Sequence, residues 1–461
     1  MRLGDNGARI RYARSLAALT AAALSSFCAG RPPLSPARSP VENAGCSQES
    51  PGLELADQEI DAGKLPPDVA TSESIVAVGD GWGCAKVFPA NHPDVTELGN
   101  WQCWRSEKWK DGRAHAHPVP WLSSRAPTWV PSIGLNHHVL PIGPERLCFL
   151  DGARHRCWAW PDFTCKRPTD FPETQALSSR AGLLLVGGTF TCTLQPVGSE
   201  RMLICSGDDS FGQLAKRGQH AALERWATAL GTWHGCTSAK ETYCWGRGDG
   251  GQLGFEPDET CQVGKRRIPC SRSIRKTPFP ASGDLYAGDM FTCTGGSELA
   301  CWGASRDGWF GHAPCSSELR QSWPVGTGFV PAPRATCSAT PVTVPGFEAT
   351  YQHVSVGPRG ACAVVGARMD CVGGLPGVTG GRLDLMMGCG DGNKRFIPGK
   401  VHCVGAIPTP SVEVSRVAVS RGVQANACGV AGEQIVCWGE GYSPAEKPNQ
   451  AVPIAFAASH S

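Results

Sequence analysis

The chain has 461 residues, with 43 Lys and Arg against 41 Asp and Glu, for a formal net charge of +2. So small an imbalance over that length removes the electrostatic case for nucleic acid or an anionic membrane surface as partner. The 23 cysteines exclude an ordinary reduced protein and leave two alternatives, an oxidising compartment or a zinc array.

In chain order, the first element is "MRLGDNGARIRYARSLAALTAAALSSFCAG". Arginines, an apolar small-residue run from Ser15 to Phe27 and a small-residue exit make residues 1–28 a secretory leader. The run is too short and Ala-rich to favour spanning a bilayer, and no later stretch approaches about 18 apolar residues, so no transmembrane segment is expected. Cys28 raises an alternative, an outer-membrane lipoprotein anchored at that residue, although Phe27 fits poorly before a lipidated cysteine. Residues 29–70 are rich in Pro, Ser and Ala and read as an extended linker.

From residue 71 the chain repeats. "VAVGDGWGCAKV", "LPIGPERLCFL", "LLVGGTFTCTL", "TALGTWHGCTS", "LYAGDMFTCTG" and "VSVGPRGACAV" each carry a glycine five residues before a cysteine. The pairs are Gly79 and Cys84, Gly143 and Cys148, Gly187 and Cys192, Gly231 and Cys236, Gly288 and Cys293, and Gly357 and Cys362. A seventh copy surrounds Cys428 with altered spacing. Each is followed by a second cysteine in a related setting, at Cys103, Cys157, Cys205, Cys244, Cys301, Cys371 and Cys437. Repetition of this kind signals an array of one supersecondary unit.

Alternating apolar residues such as Val76 and Val78 predict an extended strand with one buried face, and the glycine permits a turn or a close approach. Two short strands follow, each with one cysteine. Only seven residues separate Cys236 from Cys244 and eight separate Cys148 from Cys157, which suits an antiparallel hairpin. Directly opposed residues there have Cα atoms about 4.5 to 5.5 Å apart, within disulfide range, so each unit can staple its own hairpin.

The pattern of glycine, cysteine, "CWG" and "GQLG" resembles the regulator of chromosome condensation repeat family, in the cysteine-paired form of secreted bacterial proteins. The resemblance rests on "CWGRGDGGQLG" (244–254), "CSGDDSFGQLA" (205–215), "CWGASRDGWFG" (301–311) and the seven glycine-to-cysteine strands, and covers about residues 71–461. It implies an all-β fold, a seven-bladed β-propeller with disulfide-stapled blade hairpins. The family's nucleotide-exchange residues cannot be placed here, so that activity is not carried over. The secreted β-lactamase inhibitory propellers are a second likeness, at fold level only.

The seven hairpin pairs are Cys84–Cys103, Cys148–Cys157, Cys192–Cys205, Cys236–Cys244, Cys293–Cys301, Cys362–Cys371 and Cys428–Cys437. Proximity adds Cys261–Cys270, Cys315–Cys337 and Cys389–Cys403, and elimination leaves Cys46–Cys165. With Cys28 removed in the leader the count is even, and no CxxC knuckle supports zinc. Arg247-Gly248-Asp249, which in an adhesion protein would be a cell-attachment signal, falls at turn positions between "CWG" and "GQLG" and reads as a turn. The repeated tryptophans read as packing residues.

Candidate binding residues are the loop aromatics Trp160, Phe163, Phe211, Trp309 and Phe310, of the type favoured at interface hot spots. The basic run "CQVGKRRIPCSRSIRKTP" adds Lys265, Arg266 and Arg267, suited to an acidic protein or polysaccharide. No catalytic or metal constellation is placed: His115 and His117, and His137 and His138, resemble metal ligands only by proximity, without further placed ligands, and "GDGN" lacks a calcium-loop pattern. The expectation is an exported, monomeric scaffold, without cofactor or catalysis, that binds a protein or surface polymer outside the cell or at its surface. The alternative is a secreted propeller hydrolase or lyase acting on a polysaccharide.

Overall fold

The computed structural model describes residues 75–79, 81–87, 100–105, 114–118, 146–151, 154–159, 169–170, 183–197, 200–215, 227–238, 241–280, 283–311, 313–325, 328–344, 347, 351, 353–365, 368–374, 396–397, 400–401, 404–406, 414–422, 426–432, 434–442 and 452–456. The leader, the linker, Cys46, Trp160, Phe163, Cys165, Cys389, Cys403 and the His137–His138 pair lie outside them. Among the described residues, no helix is long and apolar enough to cross a membrane.

The fold is an all-β propeller type built from antiparallel units in chain order: 75–118, 146–170, 183–207, 227–280, 284–343, 353–406 and 414–456, here called units 1 to 7. In every unit the two repeat cysteines are directly opposed in register, as Cys84 with Cys103, Cys148 with Cys157 and Cys428 with Cys437. Six of these pairs are disulfides with Cα atoms 4.0 to 4.1 Å apart. That is somewhat closer than the spacing expected from ladder geometry. Units 1 and 7 share one eight-stranded sheet, because strand Val452–Phe456 pairs in parallel with Ala114–Pro118.

The repeat glycine has a steric cause. Gly79, Gly187, Gly231 and Gly288 each donate their N–H to the carbonyl of the residue three positions on, at 2.8 to 3.0 Å, closing a tight turn between the first two strands. That third residue is Trp82, Phe190, His234 or Phe291, and its ring lies against the glycine Cα. A Cβ on Gly231 would sit 2.2 Å from the His234 ring, and one on Gly288 2.1 Å from Phe291. The turn therefore admits no side chain.

The glycine of "CWG" has a different cause. Gly207, Gly246, Gly303, Gly373 and Gly439 all have positive φ, from 97° to 117°, a conformation other residues rarely adopt. The bend brings the next N–H onto the neighbouring turn: Arg247 N donates to Trp233 O at 3.0 Å and Ala304 N to Met290 O at 2.8 Å. "CSG" and "CVG" keep the glycine that the bend needs while lacking the tryptophan.

The tryptophans link units. Trp245 Nε1 donates to Gln213 O of unit 3's loop at 2.8 Å, and Trp302 Nε1 to Gln252 O of unit 4's loop at 3.0 Å. Each glutamine folds back on its own loop, Gln213 Oε1 accepting from Phe211 N and Gln252 Oε1 from Gly250 N. In unit 1 the same place is taken by Tyr442 of unit 7, whose hydroxyl accepts from Trp104 Nε1 at 2.9 Å. "GQLG" thus supplies the carbonyl that the following unit's tryptophan uses. Trp104, Trp245, Trp302 and Trp438 are all buried, as packing residues are.

Candidate binding face

At the C-terminal ends of the first strands, equivalent backbone carbonyls converge on Arg421. Its N–H donates to Val78 O at 3.1 Å, its Nη1 to Val186 O at 3.3 Å, and its Nη2 to Leu230 O at 2.6 Å and Ala287 O at 3.5 Å. Each acceptor immediately precedes a repeat glycine, so one arginine of unit 7 reaches units 1, 3, 4 and 5 at a single repeat position. Arg421 follows Ser420, which stands where the other units have glycine and whose Oγ donates to Gly79 O at 2.9 Å. Burial pulls the guanidinium down to about 10, yet it stays charged at neutral pH.

Units 3 to 5 carry a second layer built from two insertions. In unit 4, strands Glu259–Val263 and Arg266–Pro280 form a hairpin stapled by Cys261–Cys270. In unit 5, Cys315–Cys337 closes a segment holding the short helix Ser317–Gln321 and the hairpin of Trp323–Val325 with Gly328–Val330. Cys261, Ile268, Cys270, Cys315, Leu319, Trp323, Ala332 and Ala335 share one core with Phe211, Trp233 and Met290 of the units beneath. The two insertions therefore form a roof with its own apolar interior. Arg266 Nη2 donates across it to Ser322 Oγ at 3.3 Å.

Beneath the roof lie the polar groups. Trp323 Nε1 donates to Asp289 Oδ2 at 3.1 Å. Burial pushes the Asp289 carboxyl up to about 6, against the opposing pull of hydrogen bonds from Thr232 and Trp323 and of the charges on Arg247 and Arg306. Arg359 pairs with Asp307. Arg247 is only 4% exposed and binds both oxygens of Asp249 at 2.7 Å. Its guanidinium also lies over the rings of Phe211 and Trp233, at 5.0 and 5.1 Å. The Arg-Gly-Asp tripeptide is spent on its own turn and is not displayed.

Three of the aromatic candidates need correction. Phe211 belongs to the core under the roof, edge-on to Trp233. Trp309 and Phe310 are 1% and 0% exposed, and pack with Phe291 at 5.3 Å against Val354, Val356 and Val372 of unit 6. Trp309 and Phe310 are wedges between units 5 and 6, because each unit must fill the gap to the next and large rings do so. Lys265, Arg266 and Arg267 are exposed at the tip of the unit 4 hairpin. Arg275 and Lys276 of the same run pair with Asp258 and Glu241. Sequence reasoning missed Arg421 and the role of Asp289. The replacement of the repeat glycine by Ser420 was the available signal for the first; the second depends on an insertion from elsewhere in the chain.

Fold and site define a class: a disulfide-stapled repeat propeller with two disulfide-closed insertions that share a core with units 3 to 5. No family model matches the chain, and no curated protein matches it. Among solved structures it is similar to one of Kap60 bound to yeast RCC1 (Prp20), with a TM-score of 0.44 and 14% identity, covering 74% of this chain and 77% of that one. It is also similar to human WBSCR16, with a TM-score of 0.39 and 14% identity over 85% of this chain and 83% of that one. A third likeness is apo AztD from Citrobacter koseri, at 0.37 and 10% over 85% and 87%.

Proposed function

We propose that this chain is an exported, non-catalytic scaffold, a seven-bladed propeller whose roofed face binds a macromolecular partner. The observation that carries this reading is the roof: two insertions, each closed by its own disulfide, hold an exposed basic tip on a rigid base that the repeats themselves do not require. Preorganisation of that kind lowers the ordering cost of association. Among the described residues, Asp289 is engaged with Trp323, Asp307 with Arg359, and Arg421 with the backbone carbonyls of the repeat turns, which supports a structural role for these groups. Eight disulfides among the described residues are the chemistry of an oxidising, extracytoplasmic compartment.

The test has two parts. Intact mass of the native protein, alkylated without reductant, is expected to show cleavage near residue 28 and no modified thiol; a full-length mass with many alkylated cysteines overturns export. Immobilised mature protein is then expected to retain a specific component of its own envelope or medium. Retention that is unchanged when the surface loops of units 3 to 5 are substituted overturns the assignment of the face.

A further inference from the structure

The sheet of unit 4 runs, in spatial order, Ala227–Leu230, His234–Ser238, Glu241–Arg247, Arg266–Pro280 and Glu259–Val263, so among the described residues the last of these is an outer edge. Its register with the long strand pairs Val263 with Arg266, Gln262 with Arg267, Cys261 with Ile268 and Thr260 with Pro269. Pro269 directs its carbonyl the other way, accepting from Gly248 N at 2.9 Å, and it has no N–H to give. Thr260 therefore sits in a non-hydrogen-bonded pair, and by the alternation of antiparallel ladders so does Gln262, two residues on. The backbone N–H and C=O of both point outward from the sheet. Thr260 and Gln262 are exposed, whereas Cys261 between them is buried beneath the roof.

We propose that this edge docks an extended acidic segment of a partner protein, added as a further strand through Thr260 and Gln262 and selected by Lys265, Arg266 and Arg267. The proposal rests on the scaffold reading and names the partner's chemistry. Strand addition takes its affinity from main-chain hydrogen bonds and its selectivity from the flanking side chains. Three consecutive cations stand at the turn end of the edge, with Arg267 directly opposite Gln262. Lys265 and Arg267 meet no carboxylate among the described residues. Glu259 lies at the opposite end of the strand, so the edge is polar along its length and favours a segment whose acidic residues lie beside the turn. The Cys261–Cys270 bond and the burial of Ile268 fix the strand before any partner arrives.

Basic residues on an edge also serve, in many proteins, to repel other edges, and the experiment separates the two roles. A fluorescein-labelled alternating Thr-Glu decapeptide is titrated with the full oxidised protein by polarisation, with a Thr-Lys decapeptide as control. The acidic peptide is expected to bind saturably and the basic one not at all. Lys265→Glu with Arg267→Glu is expected to weaken binding by about tenfold or more and to flatten its salt dependence. Gln262→Pro removes an outward N–H that the ladder does not use, and is expected to weaken binding by about tenfold with unfolding temperature unchanged. Independently of any variant, a peptide N-methylated at alternate residues keeps its charge and is expected to lose binding to the wild-type protein.

Absence of binding by the acidic peptide overturns the proposal and leaves the cations as guards of the edge. Equal binding by the N-methylated peptide overturns strand addition in favour of charge alone. Tighter binding of a heparin oligosaccharide, indifferent to Gln262→Pro, assigns the tip to a polymer and also overturns it. If the native partner is retained by Gln262→Pro protein as well as by wild type, the scaffold reading stands and only the edge is lost.

Discussion

The propeller body and the roof are both crosslinked by disulfides, but the crosslinks do different work. In the body each bond joins residues already opposed in a ladder, with Cα atoms 4.0 to 4.1 Å apart, so it reinforces a hairpin that hydrogen bonds and packing also specify. In the roof, Cys261 is in register with Ile268 while Cys270 is in register with Glu259, so their bond runs diagonally at a Cα separation of 5.8 Å. Cys315–Cys337 spans 22 residues that include a one-turn helix too short to stand alone. The body is held by repetition, and the roof by its staples and one shared core.

The largest effect is expected at Arg421. Arg421→Ala keeps the main-chain N–H to Val78 O but leaves the carbonyls of Val186, Leu230 and Ala287 in units 3, 4 and 5 without their guanidinium, and is expected to cost about 4 kcal/mol, at about 1–3 kcal/mol per stranded buried group. Urea denaturation checks it, and Arg421→Lys, which cannot fork to three oxygens, is expected to recover only part. A cost below about 1 kcal/mol would mean that the units hold together without the arginine.

Next is Cys315→Ala with Cys337→Ala, expected to cost about 3 kcal/mol in the chain-entropy account. The loss should be local: amide exchange rises over 313–337 and around Ile268, while the Cys236–Cys244 hairpin keeps its protection. Uniform loss of protection would contradict the division between body and roof.

The third test uses pH. Asp289 is pushed up to about 6 when folded against about 3.9 when unfolded. Between about pH 4 and pH 6 the folded chain holds a proton that the unfolded chain has released, so this group's contribution falls as pH rises through that window and is constant above it. The full span is about 2–3 kcal/mol at about 1.4 kcal/mol per unit. Asp289→Asn is expected to remove that slope from the stability-versus-pH curve; an unchanged slope would place its origin elsewhere.

The smallest effect is at Asp249. Asp249→Ala breaks a bidentate pair whose arginine is buried but also covered by two rings, and is expected to cost about 1–2 kcal/mol by thermal unfolding. Integrin-type adhesion to the folded protein should be absent before and after the change.

The body was legible because its rules are local. Glycine five before cysteine, cysteine opposite cysteine and glycine after tryptophan are short-range demands of a turn, a ladder and a positive φ, and each leaves its mark at a fixed spacing. The roof was half legible: its cysteines pair by proximity in the chain, but its core joins Ile268 to Leu319 and Trp323, which no spacing announces. Trp309 and Phe310 were misread as contacts because whether a ring is exposed depends on the next unit's packing surface. Asp289 was invisible for the same reason, since its partner is a tryptophan 34 residues away.

The links between units have a consequence for change. Trp245 and Trp302 are received by main-chain oxygens of Gln213 and Gln252, atoms that every residue type carries. Provided the loop keeps its path, the side chains around those oxygens can be exchanged without breaking the joint. An engineer could rewrite the loop chemistry position by position while the assembly beneath it stays the same, which makes the molecule a chassis whose fittings and frame vary independently.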